Sequence, residues 1–224
     1  LKLKVVFQNG LALYALTRKV LEAIKSAGIN QVVLAVESGS ERILKDVMHK
    51  PLNLKLVKKV SKDCRDLGIY TDVNILVGLP GETKKDIKDA RSFLKTIQAN
   101  WFRITIATPL VGSEMYDICL KNNYISGEVF DCHYKKAGVT TEDFTAAEIE
   151  EIVYQMNLEL NFVENGDMQL GNYKHALHGF ENSIIAKPDQ AFAYYYASIC
   201  YEKLGELEKS IQYKNKAKTI IDNN

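Results

Sequence analysis

The chain comprises 224 residues, of which 46% are hydrophobic and 25% charged, a balance typical of a globular protein with one large or two modest domains. Its 29 Lys and Arg residues nearly equal its 28 Asp and Glu residues, so no global field favours nucleic acid or an anionic membrane. No apolar run approaches the roughly 18 residues of a membrane span, and four scattered cysteines without metal-site spacing favour a reducing cytoplasm.

Short β-branched segments alternate with helical patterns over the first half of the chain. Apolar runs predict strands at four places: 4–7, 32–36, 73–77 and 102–107. Between them, apolar residues recur at the 3.6-residue spacing of amphipathic helices. The order β-α-β-α-β-α-β, joined by right-handed crossovers, predicts a parallel sheet flanked by helices.

Local signals predict where these helices begin and end. The first helix is entered through Gly10 and ends at Gly28, which can adopt the left-handed conformation of a C-cap. Asn53 is a plausible N-cap for the helix that precedes the third strand. Thr83 and Asp86, three residues apart, resemble a capping box for the next helix.

The pattern changes after residue 110. We predict a barrel portion at 1–128, an irregular connection with a linking helix at 129–156, and a helical region at 157–224. In the helical region, Gly171-Asn172-Tyr173 recurs 34 residues later as Gly205-Glu206-Leu207. This period resembles the tetratricopeptide repeat, of which about one and a half copies are visible where roughly three are needed for independent stability. We therefore expect these helices to pack on the sheet domain, on each other by self-association, or on a protein partner.

The predicted sheet brings ligand-binding groups to one edge, because parallel strands end on the same side. Glu37 and Ser38 follow the second strand, where a carboxylate and a hydroxyl can bind ribose hydroxyls. Ser40 opens a helix whose unpaired N–H groups favour an anion or carboxylate. The third strand adds a glycine that lets a flat ring approach the backbone, and two apolar side chains: Gly78, Ile75 and Val77.

Three motifs in this order resemble the second half of a radical S-adenosylmethionine (SAM) barrel over about residues 3–128. They are VESGSERILKDVMHK, DVNILVGLPGET and FRITIATPLVGSEMYD. The resemblance is greatest to the branch that carries an N-terminal cobalamin-binding domain, some members of which also have tetratricopeptide helices. The fold class we expect is α/β, a partial parallel (β/α) barrel of about four strands followed by an all-α tetratricopeptide-like tail.

The resemblance implies a cofactor-binding role for each motif. The ESGS turn would contact the ribose and methionine portion of SAM, the third strand would support the adenine, and the fourth strand end would offer backbone to it. The residues concerned are Glu37, Ser38 and Ser40, then Ile75, Val77 and Gly78, then Ala107 and Thr108. Asn74 stands near where the family usually has glycine, and Arg42 either pairs with the methionine carboxylate or is solvated.

The family's CxxxCxxC loop, which holds a [4Fe–4S] cluster, and its GGE motif are absent from this sequence. Both would precede Leu1, so we expect an excised piece whose partner is the upstream half of its own barrel. In the intact protein, a reduced cluster would cleave SAM to a 5′-deoxyadenosyl radical that acts on an unknown substrate, with or without cobalamin. We expect this chain alone to be inactive, without a catalytic residue or metal site.

Two other interpretations stay open. The helices could form a tetratricopeptide interaction module, with a polar groove at 171–220, attached to a non-catalytic α/β domain. The sheet could also belong to an unrelated barrel enzyme, which the ordered motifs disfavour. His175 and His178 are expected on the surface rather than on a metal, and Cys64 and Cys200 are expected in the core.

Overall fold

A computed structural model describes residue 5 and residues 7–126 and 132–223. The chain divides into two compact units, Leu1–Asn157 and Leu158–Asn224. The strands of the first unit are β1 (Phe7–Leu11), β2 (Gln31–Glu37), β3 (Tyr70–Val77) and β4 (Trp101–Ile106). Its helices are α1 (Arg18–Ser26), α2 (Leu54–Asp66), α3 (Lys84–Leu94), α4 (Glu114–Lys121) and nearly all of α5 (Ala146–Leu158).

The strands form one parallel sheet in the order β1-β2-β3-β4. This confirms the predicted partial parallel barrel. The first strand was placed too early at 4–7, of which residues 4 and 6 lie outside the described residues. Gly10 lies inside β1 with φ of 80°, not in a lead-in to the helix. A Cβ at Gly10 would lie 2.8 Å from the Cβ of Ala35, so this glycine lets β1 approach β2 closely.

Burial distinguishes the two faces of the sheet. Val73, Ile75 and Val77 of β3 are at most 1% exposed, so their face is fully covered. The residues between them point the other way, because side chains alternate along a strand and paired residues of parallel strands share a face. On that side, which we call the open face, the side chains are partly or fully exposed and belong to Ala35, Asn74, Leu76, Arg103 and Thr105.

The predicted helix boundaries are largely confirmed. The Thr83 hydroxyl accepts a hydrogen bond from the Asp86 N–H, while the Asp86 carboxylate accepts one from the Thr83 N–H, which completes the capping box. Asn53 caps α2 by accepting a hydrogen bond from the Lys55 N–H at 2.8 Å. Gly28 has φ of 84°, as expected for a left-handed residue after α1. Short-range sequence signals therefore set these ends.

The second unit is helical throughout its described length. It contains a π-helical turn (Glu159–Val163), α6 (Gly166–Gln169), α7 (Tyr173–Ala186), α8 (Ala191–Lys203) and α9 (Leu207–Asp222). Gly171 and Gly205, which are related by the 34-residue repeat, have φ of 73° and 81°. The rings of Phe162, Phe180 and Tyr196 lie 5.5–6.0 Å apart, so aromatic side chains pack between the helices. No helix in the described residues is long and apolar enough to cross a membrane.

Candidate functional site

The carboxyl ends of β2, β3 and β4 meet at one edge of the sheet. Val77 pairs with Ile106, and Glu37 pairs with Ile75 after a register shift that follows Ala35. We call the segments 37–40, 77–81 and 106–108 at this edge the rim. The residues expected to bind the cofactor all lie on the rim or within two residues of it: Glu37, Ser38, Ser40, Ile75, Val77, Gly78, Ala107 and Thr108.

The first rim segment is a strained and closely packed turn. Glu37 has φ of 72°, which is unfavourable for a residue other than glycine, so the packing around the turn must hold it in this conformation. Ser38 and Ser40 are buried, and the Ser38 Oγ accepts a hydrogen bond from the Ser40 N–H at 3.1 Å. A Cβ at Gly39 would lie 2.8 Å from the Cα of Ala90, so the turn packs directly on the α3 backbone.

Arg42 and Asp86 tie this turn to the second rim segment. The Arg42 guanidinium donates two hydrogen bonds to the Asp86 carboxylate and a third, of 2.7 Å, to the Gly81 carbonyl. The Ser40 hydroxyl donates to the same carboxylate at 3.0 Å. These hydrogen bonds, that from Arg42 foremost, hold the pKa of Asp86 well below its usual range. Arg42 therefore fixes the loops, and its guanidinium is committed to Asp86 instead of a ligand carboxylate.

Glu82 fixes the second rim segment from within, a role that the sequence pattern did not indicate. Its side chain is 1% exposed, and its carboxylate accepts hydrogen bonds from the N–H groups of Gly78, at 2.7 Å, and Leu79, at 3.3 Å. Burial raises the pKa of Glu82 to about 7, although both backbone N–H groups favour the ionised form. The glutamate thus closes the turn in which Gly78 has φ of 92°.

The third strand presents a different side chain from those expected. Ile75 and Val77 are each 1% exposed on the covered face, so their side chains cannot support a ring that lies on the open face. Leu76, between them, is partly exposed on the open face. The sequence analysis missed Leu76 because the three consecutive apolar residues 75–77 do not indicate which face of the strand is covered.

The third rim segment contacts the second, and a residue that follows the first, through an apolar cluster. Ala107 packs with Ile43 and Leu79, and Met48 and Met115 lie against them. The Ala107 N–H donates to the Val77 carbonyl at 2.9 Å, so this amide extends the sheet by one hydrogen bond and is not available to a ligand. Thr108, the next residue, is partly exposed.

Lys50, whose side chain reaches the end of β2, is another residue near the rim that the sequence analysis missed. Its ammonium donates to the Ala35 carbonyl at 2.7 Å and lies 3.7 Å from the Glu37 carboxylate. Both side chains retain some exposure, 29% for Lys50 and 23% for Glu37. A cation and an anion therefore lie side by side at the end of β2. This pair matches a ligand that carries both hydroxyl groups and a carboxylate, because the carboxylate of Glu37 accepts and the ammonium of Lys50 donates.

The cysteines are unsuited to holding iron. Cys64, Cys119 and Cys200 are buried, as predicted for Cys64 and Cys200, and burial raises the pKa of Cys64 and of Cys200 to about 12. Cluster ligands are thiolates, which a raised pKa disfavours. Among residues 5, 7–126 and 132–223, no group of three His, Cys, Asp or Glu side chains is placed to hold a metal ion.

Comparison with known families gives one match to a family model. The Radical SAM superfamily model matches residues 7–94, a range that includes the first two rim segments.

The curated enzymes that are similar to this chain include the following two. Cytidylyl-2-hydroxyethylphosphonate methyltransferase of Streptomyces wedmorensis is 26% identical over 68% of this chain and 30% of its own length. tRNA-2-methylthio-N(6)-dimethylallyladenosine synthase of Clostridium tetani is 35% identical over 46% of this chain and 23% of its own length. This chain thus spans less than a third of these relatives. Among solved structures, coproporphyrinogen III oxidase from Escherichia coli, described as a radical SAM enzyme, matches with a TM-score of 0.49 and 10% identity over 68% of this chain and 31% of that one.

Proposed function

Residues 7–94 belong to the radical SAM superfamily, and from this premise we propose that the protein binds S-adenosylmethionine across the rim. The observation that carries the proposal is the Glu37–Lys50 pair at the end of β2. SAM carries ribose hydroxyls, which can donate hydrogen bonds to the carboxylate of Glu37, and a methionine carboxylate, which can accept a hydrogen bond from the ammonium of Lys50. The positive φ of Glu37 supports the same assignment, because strained residues cluster at ligand sites.

Residues in and around the rim position this pair. Asp86 joins the ESGS turn to α3 through Arg42 and Ser40, and Glu82 holds the turn that begins at Gly78. Because ligand-binding groups must be held within a fraction of an ångström, such supporting hydrogen bonds matter as much as the contacts themselves. In this proposal Ser40 supports the site through the hydrogen bond that its hydroxyl donates to Asp86. The buried side chains of Ile75 and Val77 support it by packing β3 in place.

The iron–sulfur cluster that this family uses does not fit the cysteines of this chain. We therefore propose that its ligands lie in another part of the protein, together with the rest of the barrel. Bound SAM would supply a 5′-deoxyadenosyl radical and methionine when one electron from that cluster cleaves its bond between sulfur and the 5′ carbon. What the chain itself contributes is the binding and orientation of SAM and the exclusion of water from the rim.

The curated relatives support a transfer of methyl or methylthio groups as the reaction class. Cobalamin stays part of the proposal as a candidate methyl carrier, and the cytoplasm stays the proposed location. Residues 110–145 follow the third rim segment in the sequence, and we propose that the contacts with the substrate come from this stretch. The substrate itself is left open.

Equilibrium binding of S-adenosylhomocysteine to the full-length protein tests the proposal. Glu37→Gln and Lys50→Met should each weaken binding about tenfold, because each removes one charge-assisted hydrogen bond. Lys59→Met, on the exposed side of α2 and paired with Asp63, is the matched control and should leave binding unchanged. Binding that is absent from the wild type, or unaffected by either rim variant, would exclude this rim as the site.

A second candidate function concerns α9. Its side chains Leu207, Ile211 and Ile221 are 61–64% exposed, and large exposed apolar side chains on one helix favour contact with another protein. We propose this helix as a protein-interaction surface, either for a partner or for self-association. Ile211→Lys should reduce the apparent mass in sedimentation if the surface is used, whereas Lys216→Glu, at another exposed position on α9, should not.

A further inference from the structure

The backbone that carries the Glu37–Lys50 pair has an unusual conformation at both residues of the pair. In the described part of the chain, three residues other than glycine have a positive φ: Glu37 at 72°, His49 at 50° and Asn123 at 56°. The first is a member of the pair, and the second stands directly before Lys50 in the sequence. Such a conformation is costly and persists only where the surrounding structure imposes it. His49 therefore calls for an explanation.

A π-helical turn, Ile43–Val47, leads into His49. After it, the Lys50 N–H donates a hydrogen bond to the Leu44 carbonyl at 2.7 Å. This bond resembles the usual end of an α-helix, where a left-handed residue turns the chain back onto the last carbonyls, but it spans one residue more. One added residue rotates everything after it by about 100° around the helix axis. The π-helical turn thus determines on which side of the helix Lys50 emerges.

Both ends of this segment are fixed. Ile43 and Leu44 are at most 1% exposed, so the start of the turn is held in the core. At the other end, the Lys50 carbonyl accepts a hydrogen bond from the Leu52 N–H at 2.8 Å. Between these anchors, the left-handed φ of His49 directs the chain toward Lys50. The His49 side chain is exposed, so the residue contributes its backbone conformation.

The position of its backbone decides what the Lys50 side chain can reach. Its ammonium donates to the Ala35 carbonyl at 2.7 Å and lies 3.7 Å from the Glu37 carboxylate. A lysine side chain loses much rotamer entropy when it is ordered, so a backbone that already directs it to its partners reduces the cost of binding.

We propose that His49 and the π-helical turn position the Lys50 ammonium for the methionine carboxylate of SAM. His49 is a positioning residue: it acts through Lys50 and does not itself contact the ligand. This inference rests on the proposed function and adds the backbone element that makes the Lys50 contact possible. It also gives a reason for the strained conformation directly before Lys50.

Two ligands test the inference in the full-length protein: S-adenosylhomocysteine and 5′-methylthioadenosine, which lacks the amino-acid portion and its carboxylate. The wild type should bind S-adenosylhomocysteine about tenfold more tightly, the usual effect of one charge-assisted hydrogen bond. His49→Val should weaken only S-adenosylhomocysteine, by about five- to tenfold, because a β-branched residue disfavours positive φ. His49→Gly should keep the wild-type affinity for both ligands, since glycine adopts this conformation without strain.

Two further variants separate positioning from stability. When Lys50→Met is already present, His49→Val should cause no additional loss of affinity, because the ammonium that it positions is absent. Gly28→Val is the control, since Gly28 has φ of 84° after α1 and a Cβ there would meet no described atom within 4 Å. Gly28 precedes β2, at the edge of the sheet opposite the rim. This control should lower the urea midpoint and leave the preference for S-adenosylhomocysteine unchanged.

Three results would overturn the inference while SAM binding stood. His49→Val could weaken both ligands equally, which would mean general damage to the fold, or it could weaken neither. His49→Gly could lose affinity for S-adenosylhomocysteine, which would mean that the imidazole acts and not the backbone. If the wild type bound neither ligand, the proposed function would fail and this inference with it.

Discussion

Glu82→Gln tests whether a buried carboxylate holds the second rim segment. Raising the pKa of Glu82 from 4.5 to about 7 corresponds to about 3 kcal/mol. The unfolded chain releases this proton near pH 4.5, whereas the folded chain keeps it until about pH 7. Stability from this group is therefore fully present below pH 4.5 and is lost as the pH rises through 7. The glutamine cannot ionise but its carbonyl can still accept the Gly78 N–H.

The assay is urea unfolding of wild type and Glu82→Gln at a series of pH values from 4 to 8. From low to high pH, the free energy of unfolding of the wild type should fall by about 3 kcal/mol relative to that of the variant. Glu41→Gln, at an exposed position near the same loop, controls for the loss of one negative charge. A difference between wild type and Glu82→Gln that stays constant over this range would refute the reasoning, because the carboxylate would then be solvated.

Three further predictions concern the same rim. Asp86→Ala should lower the free energy of unfolding by about 2 kcal/mol at pH 7, because it removes the cap of α3 and one buried hydrogen bond. The lost ion pair with Arg42 is not counted in this figure, because the Arg42 side chain is half exposed and water screens the pair. That loss should shrink in acid unfolding below pH 3.8, since the lowered pKa of Asp86 makes its contribution present above that value. Gly39→Ala should cost about 1–3 kcal/mol in the same assay, because the new Cβ meets the α3 backbone at 2.8 Å; an unchanged midpoint would contradict this packing. Leu76→Ala should weaken S-adenosylhomocysteine binding with little change in stability, whereas Ile75→Ala should lower the free energy of unfolding by about 2–5 kcal/mol. The reverse pattern would mean that the open and covered faces of the sheet are misassigned.

The sequence predicted the features that local chemistry determines. The four parallel strands and the caps of α2 and α3 follow from apolar runs and from N-cap residues within three positions of each helix start. The start of β1 was wrong, because Gly10 looked like a turn residue but serves the close approach of β1 to β2. The backbone of Gly10 has the positive φ typical of a turn, but the need for glycine comes from contact with Ala35, 25 residues away in the sequence.

The candidate site was predictable in outline but not in its side chains. The motifs located all three rim segments, since parallel strands must end together. Which apolar residue of β3 faces a ligand depends on the helices that cover the sheet, and Leu76 was missed for that reason. Lys50 and Glu82 were missed because their roles depend on contacts that a linear pattern does not show: with Glu37 across a turn, and with two backbone N–H groups.

The central claim is that SAM lies across the rim, and a crystal structure of the full-length protein with SAM bound tests it most directly. The account predicts the ribose hydroxyls on Glu37, the methionine carboxylate beside Lys50, and the adenine on the open face against Leu76. Density for SAM on the helices of the second unit, or on the covered face of the sheet, would contradict it.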